Sequence, residues 1–159
     1  MSLLYRNDDT YMQMALREAE KAYRQGEVPI GAVVVYQGQV VGRAYNQVEM
    51  LTDGTAHAEM LALTQAATAV GDWRLTEATL YVTKEPCAMC AGAMVNCRLG
   101  KVVFGAPDPR SGGAGGALDI TGFPGMLHQV EVTSGVLQAE CLGLIQSFFQ
   151  ERRRQAKES

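Results

Sequence analysis

Hydrophobic residues recur at helical spacing near the start of the chain. Tyr11, Met14, Ala15, Ala19 and Ala22 would share one face of an α-helix. Two aspartates and a threonine at positions 8–10 supply first-turn and capping groups, and the glycine at position 26 can end the helix. The pattern therefore predicts a helix over residues 8–25.

Farther along, short runs rich in β-branched and aromatic residues alternate with longer segments that contain no helix breaker. The runs predict strands at residues 30–36, 39–45, 79–83, 101–105 and 129–133, the first two joined by a Gln37-Gly38 turn. The longer segments predict helices at residues 56–70, 88–96 and 137–157, the last with Leu142, Ile145 and Phe149 on one face. Residues 46–55 are polar and residues 107–116 contain two prolines and four glycines, which predicts loops. Strands interleaved with helices indicate an α/β sandwich.

Composition narrows the class of protein. The length of 159 residues suits a single domain spanning residues 1–159, and 47% hydrophobic with 19% charged residues excludes a disordered chain. No apolar run approaches the roughly 18 residues of a membrane helix, and residues 1–9 lack the basic and apolar regions of a secretory signal. We therefore expect a soluble cytoplasmic protein without membrane contact. Four cysteines in such a protein indicate ligands, thiols or core residues rather than disulfides.

The charge is unevenly distributed. Fourteen basic and seventeen acidic residues give a net charge of −3, which argues against binding nucleic acid through bulk electrostatics. However, Arg152, Arg153, Arg154 and Lys157 crowd the last eight residues. Local contact with a phosphate backbone therefore stays open.

Two short clusters indicate the chemistry. The first is His57-Ala58-Glu59, and the second is the pair Cys87 and Cys90, with a proline directly before the first cysteine. One imidazole and two thiolates would supply three zinc ligands and leave the fourth tetrahedral position for water. Glu59, two residues beyond the histidine, would take a proton from that water and return it to substrate. The two clusters together predict a catalytic zinc site with one Zn²⁺ per subunit.

A C-x-x-C pair by itself also fits a redox pair, half of a structural zinc site, or core packing. A closed structural site would need a fourth ligand, for which His128, Cys97 and Cys141 are the candidates. The H-x-E element favours catalysis over these alternatives. Cys97 and Cys141 are then interpreted as small core residues, and His128 as a surface or hydrogen-bonding histidine.

These motifs resemble a known family. The H-A-E and P-C-x-x-C elements form the signature of the cytidine/deoxycytidylate deaminase superfamily, and the wider match resembles the bacterial tRNA-specific adenosine deaminases. The matching segments are VPIGAV at 28–33, TAHAEM at 55–60, EPCAMCAGAM at 85–94, VFGA at 103–106, PGM at 124–126 and FFQERR at 148–153. The resemblance implies a three-layer α/β/α sandwich of the cytidine-deaminase type with a mixed five-stranded sheet.

The resemblance also implies an activity, which is the deamination of adenosine to inosine at the wobble position of a tRNA anticodon. Zinc-activated water would attack C6 of the purine, while Glu59 would protonate N1 and then the departing amine. Asn46 and Ala58 would contact the target nucleoside, and Asp108 a flanking ribose hydroxyl. The last helix would meet the anticodon loop through Phe149, Arg152 and Arg153. Family members are homodimers, so a dimer is implied.

Some residues depart from the family pattern. Pro107 and Pro109 stiffen the loop around Asp108, and Gly122-Phe123 stands where some relatives place histidines. These positions bear on substrate preference and leave the zinc chemistry unchanged.

Two functions are alternatives to the deamination of adenosine in tRNA. The first is a deaminase of a free base or nucleoside (guanine, cytosine or cytidine) with the same zinc site, and the second is a tRNA-binding or assembly subunit with structural zinc. The glutamate of the H-x-E element argues against the second.

Overall fold

The computed structural model describes residues 7–159, so the first six residues, on which the prediction of no secretory signal partly depends, lie outside the described part. Helices and strands alternate along the chain. The elements are α1 Asp8–Arg24, β1 Gly31–Tyr36, β2 Gln39–Tyr45, α2 Val48–Leu51, α3 Ala58–Val70, β3 Ala78–Lys84, α4 Ala88–Asn96, β4 Lys101–Ala106, β5 Glu131–Thr133 and α5 Gln138–Glu158. None of these helices has the length and hydropathy needed to cross a membrane.

The five strands form one mixed sheet in the order β2-β1-β3-β4-β5. β1 pairs antiparallel with both β2 and β3, whereas β3, β4 and β5 run parallel. The β1–β2 hairpin turns through Gln37 and Gly38, both with positive φ, which matches the right-handed twist of paired strands. The mixed five-stranded sheet is confirmed.

Helices cover both faces of the sheet. On β1, Ala32 and Val34 join the core beneath α3 and α4, whereas Val33 and Val35 join the core beneath α1 and α5. Close packing needs a glycine in β1, because a Cβ on Gly31 would lie 2.1 Å from the carbonyl oxygen of Ala15 in α1. The α/β/α layering is therefore confirmed.

The last helix differs from the prediction in the face that it packs. Leu142 and Phe149, predicted to share one apolar face, are exposed. The buried side chains are Cys141 and Phe148, one position earlier in each case. Ile145, the third residue of the predicted face, is half-buried, so the packed face is rotated by less than about 100° from the predicted one. A second difference is α2, which forms inside the segment 46–55 that was predicted to be a loop.

Candidate active site

A histidine and two cysteines meet where two helices begin. His57 is the N-cap residue of α3, Cys87 is the N-cap residue of α4, and Cys90 lies in the first turn of α4. Both helices pack on the same face of the sheet, so their N-termini lie side by side. The positive end of the α4 dipole also favours thiolates at these positions.

The spacing of the three ligand atoms fits zinc. Nδ1 of His57 lies 3.6 Å from Sγ of Cys87 and 3.5 Å from Sγ of Cys90, and the three atoms all lie within 4.8 Å of one another. Zn–N and Zn–S bonds of ordinary length at a tetrahedral angle would place N and S about 3.5 Å apart. Hydrogen bonds from Cys90 and His57 lower the pKa of the Cys87 thiol to about 3, which favours the thiolate form that zinc binds.

The residues considered as a fourth ligand lie elsewhere. His128 Nε2 is 2.7 Å from the carbonyl oxygen of Leu99. Cys97 is the C-cap residue of α4, at the opposite end from Cys87, and Cys141 is buried in the core on the other face of the sheet. Among residues 7–159 the group has three members, which leaves a coordination position for water or substrate.

Glu59 is a buried carboxylate beside this group. Its side chain is 3% exposed, and its Oε1 atom has no hydrogen-bond partner among the described residues. Burial raises the pKa of Glu59 to about 7. A carboxyl group with a pKa near neutrality and a free oxygen is suited to accept and donate a proton.

A cavity of about 460 Å³ opens beside Glu59. Asn46 lines it, is 6% exposed, and donates from Nδ2 to the carbonyl oxygen of Val28 at 3.3 Å, while its Oδ1 has no partner in the described structure. Ala58 is fully buried at the wall of the same cavity. The structure thus brings His57, Glu59, Asn46 and Ala58 together around a space of the size typical for small-molecule sites.

The last helix closes one side of the cavity. Phe149 lines it and is 43% exposed. Arg152 also lines it, but its guanidinium donates to the carbonyl oxygen of Gly26 and lies 4.8 Å from the ring centre of Phe148. Arg153 is exposed and lies outside the cavity lining. Phe148, absent from the sequence-based site, is therefore part of the wall, and Arg152 also holds α5 in place.

Asp108 does not line the cavity. Its Oδ1 accepts from the backbone N–H groups of Arg110 and Ser111 at 3.0 and 3.1 Å, and its Oδ2 accepts from the Ser111 hydroxyl at 2.7 Å and from Lys84 Nζ at 3.1 Å. Despite desolvation, these bonds hold the pKa of Asp108 below its ordinary range. The carboxylate organises its own loop, so a ribose contact would have to replace or share one of these partners.

Sequence reasoning missed a buried glutamate that shapes the cavity. Glu27 is 1% exposed, and its carboxylate accepts from the backbone N–H groups of Glu49 at 3.0 Å and Met50 at 2.7 Å. These bonds hold α2 against the cavity, where Val48 and Glu49 form part of the lining. A single acidic residue in a turn has no periodic signal that would have revealed this role.

Comparison with known proteins agrees with this geometry. A family model for MafB19-like deaminase matches residues 6–153. The tRNA-specific adenosine deaminase of Bacillus subtilis (strain 168) is 51% identical over 150 residues, which cover 94% of this chain and 93% of the relative.

Solved structures show the same architecture. One, from a study of A-to-I editing by tRNA:A34 deaminases at the wobble position of transfer RNA, has a TM-score of 0.81 and 40% identity over 84% of this chain and 97% of that chain. The guanine deaminase from Nitrosomonas europaea shares the fold, with a TM-score of 0.76 and 21% identity over 88% of this chain and 83% of that chain. The chain belongs to the MafB19-like deaminases and, among them, to the family of tRNA-specific adenosine deaminases.

Proposed function

We propose that this protein catalyses the zinc-dependent hydrolytic deamination of adenosine to inosine at the wobble position of a tRNA anticodon. The observation that supports this most directly is a three-member His/Cys/Cys group beside a buried carboxylate with a free oxygen, with His57 and Glu59 lining the cavity. The 51% identity to a tRNA-specific adenosine deaminase supports the choice of substrate.

His57, Cys87 and Cys90 would hold the metal ion. Zinc in such a site lowers the pKa of water to about 7 and so supplies a nucleophile at neutral pH. The two thiolates balance the charge of Zn²⁺, and the imidazole completes a donor set that zinc prefers. The chain therefore offers the ligands of a catalytic site and no fourth donor in this group among residues 7–159.

Glu59 would move the protons. Hydrolytic deamination adds the oxygen of water at C6 and releases ammonia, so a proton must pass from water to nitrogen atoms of the substrate. A buried carboxyl group with a pKa of about 7 changes its protonation state readily at neutral pH. Both protons of water end on nitrogen. Glu59 would accept one proton from water and deliver it to N1, and would then take the proton of the hydroxyl group added at C6 and give it to the departing amine.

The cavity would hold the target nucleoside. The unpartnered Oδ1 of Asn46 is a hydrogen-bond acceptor on a residue that lines the cavity, and Ala58 provides a small apolar wall. Around the opening, Phe149 would stack on a base and Arg153 would meet phosphate. Arg152 would contribute to the same RNA surface while keeping its contact with Gly26, and Asp108 would contribute by sharing or replacing one of its loop partners.

We further propose that the chain forms one deaminase domain that acts in the cytoplasm as a homodimer. Large apolar side chains are exposed in the segment between β4 and β5, where Leu118, Phe123 and Leu127 are 55–69% exposed. Three large exposed apolar side chains between residues 118 and 127 support an interface in this segment. Light scattering coupled to gel filtration tests the dimer, since a monomer at micromolar concentration would contradict it.

The activity is tested by incubating the zinc-loaded protein with an anticodon stem-loop that contains a wobble adenosine. Free adenosine, cytidine and guanine are assayed beside it, and inosine and ammonia are quantified. We expect inosine and ammonia in equal amounts from the stem-loop, with little product from the free compounds. The Glu59→Ala variant should retain zinc and lose activity by about two to four orders of magnitude.

Each other outcome corrects a different part of the proposal. Turnover of a free base in preference to the stem-loop would retain the zinc chemistry and overturn the tRNA assignment. Full activity in Glu59→Ala with stoichiometric zinc would overturn the role of Glu59. Absence of any turnover by zinc-loaded protein would favour a non-catalytic subunit.

A further inference from the structure

A buried carboxylate lies next to the predicted metal ligands and has no part in the mechanism above. Glu85 is 4% exposed, two residues before Cys87. Its Oε1 accepts from the backbone N–H of Asp108 at 2.8 Å, and its Oε2 accepts from those of Ala114 at 3.1 Å and Gly116 at 2.8 Å. Three backbone donors compensate the buried charge, as in an anion-binding nest.

Residues 107–116 are here called the Asp108 loop. The glycines of this loop allow the arrangement around Glu85. A Cβ on Gly112 would lie 2.2 Å from the Glu85 carboxylate, and a Cβ on Gly116 would lie 2.6 Å from Oε1 of Glu85 and 2.2 Å from the carbonyl oxygen of Asp108. The loop therefore closes around the carboxylate so tightly that side chains at these positions are excluded. This packing explains the glycines at positions 112 and 116.

The same loop is joined to the metal site. Gly113 donates from its backbone N–H to the carbonyl oxygen of Pro86 at 2.7 Å, and Gly112 forms an isolated β-bridge with Cys87. Lys84, the residue before Glu85, forms an ion pair with the Asp108 side chain at 3.1 Å. Lys84, the last residue of β3, thus holds the carboxylate of Asp108, and Glu85, the next residue, holds the backbone N–H of Asp108.

We propose that Glu85 is a positioning residue that fixes the Asp108 loop beside the metal site and so presents this loop to the RNA. The inference rests on the proposed function, because it takes the loop to be part of the RNA surface. Without the carboxylate, three backbone donors lose their acceptor, and the loop is held only by the contacts of the Asp108 side chain and of the Gly112 and Gly113 backbone. Loss of the Glu85 carboxylate would therefore alter catalysis by displacing the Asp108 loop, whereas the metal ligands and Glu59 would keep their own contacts.

The test compares Glu85→Gln with Glu77→Gln, which makes the same change at an exposed position. Glutamine keeps the shape of the side chain but turns an N–H₂ group toward backbone donors. We expect amide hydrogen exchange in residues 108–119 to become about tenfold faster or more in zinc-loaded Glu85→Gln, since net loss of one or two hydrogen bonds has that effect. The KM for the stem-loop should rise by about tenfold while kcat changes by less than about threefold. Zinc should remain stoichiometric.

A second variant disturbs the contact between Glu85 and the Asp108 loop by a change in the loop rather than in Glu85. Gly116→Ala keeps the Glu85 charge but adds a methyl group where Glu85 and the carbonyl oxygen of Asp108 lie, whereas Gly143→Ala adds a methyl group in open space. We expect Gly116→Ala to reproduce the faster exchange and the raised KM, and Gly143→Ala to match the wild type. The double variant Glu85→Gln/Gly116→Ala should be no worse than the more affected single variant, because both act on one loop.

The outcomes separate this inference from the proposed function. Unchanged exchange and unchanged KM in Glu85→Gln would overturn the inference. Loss of zinc in proportion to loss of activity would also overturn it, because Glu85 would then support the metal ligands rather than the loop. If the wild type does not edit the stem-loop, the proposed function fails and the RNA part of the inference fails with it. The exchange comparison would still decide whether Glu85 holds the loop.

Discussion

Replacing Glu59 by glutamine should have opposite effects on activity and on stability. The substitution keeps the size of the side chain and removes its charge and its ability to carry a proton. Activity on the stem-loop should fall by about two to four orders of magnitude. The metal-free protein, in contrast, should become less sensitive to alkaline pH, because it no longer has to bury an ionised carboxylate.

The magnitude follows from the pKa of Glu59, which burial raises from 4.5 to about 7. Between these two values the unfolded chain releases the proton while the folded chain keeps it, so the unfolded state binds fewer protons and stability falls as pH rises. The stabilisation is complete below about pH 4.5 and is lost once the pH passes about 7. Between pH 5 and pH 8 the wild type should lose about 2 to 3 kcal/mol of unfolding free energy through this group.

The assay is urea unfolding of the metal-free proteins at pH 5 and pH 8, followed by circular dichroism. Comparing the two pH values within each variant cancels the constant cost of burying a glutamine amide. Glu77→Gln, at an exposed position, controls for the loss of one negative charge. The activity of the zinc-loaded proteins is measured in parallel on the stem-loop.

Two results would refute the reasoning. If Glu59→Gln and the wild type lose the same stability between pH 5 and pH 8, the carboxyl group is not protonated in the folded metal-free protein. If Glu59→Gln retains more than about a tenth of the wild-type activity, another group moves the protons.

Three further predictions follow from the contacts described above. Cys87→Ala should bind zinc substoichiometrically, as measured by elemental analysis of the dialysed protein; full retention of zinc would place the metal elsewhere. Gly31→Ala should lower the unfolding free energy by at least roughly 1 to 3 kcal/mol, because the added Cβ would lie 2.1 Å from the carbonyl oxygen of Ala15. Urea unfolding measures this free energy, and an unchanged unfolding midpoint would contradict the close packing of α1 on β1. Arg152→Ala should reduce the free energy of unfolding by roughly 1 kcal/mol and raise the KM for the stem-loop, because Arg152 joins α5 to the turn after α1. Arg153→Ala, at an exposed position, should affect only the KM and its salt dependence, and equal losses of stability in both variants would refute the distinction.

Local signals were sufficient for most elements. The prediction for β2 matched both ends of Gln39–Tyr45, because the Gln37-Gly38 turn adopts the positive φ angles that such a hairpin needs. The prediction for α4 matched both ends of Ala88–Asn96, since a proline and Cys87 precede it and a β-rich run follows. These signals lie within a few residues of the elements that they define.

The metal-ligand group was also accessible from local patterns. The H-x-E and C-x-x-C motifs each place their side chains at the start of a helix, and two helices on one face of a sheet bring these starts together. What the motifs did not reveal is the surroundings. α2, the packed face of α5, and the engagement of Arg152 with Gly26 depend on contacts between segments, the last across 126 positions.

Local patterns were enough to predict the order of helices and strands except α2, the mixed α/β class and the residues that can hold a metal ion, because periodicity, turn residues and ligand spacing act over short stretches of chain. How the site is enclosed depends instead on contacts between distant segments. Glu27 and Glu85 are single acidic residues whose backbone partners lie 22 to 31 positions away. The charges of Glu27 and Glu85 are tolerated in the interior because several backbone N–H groups converge on each carboxylate, and that convergence exists only after the chain has folded.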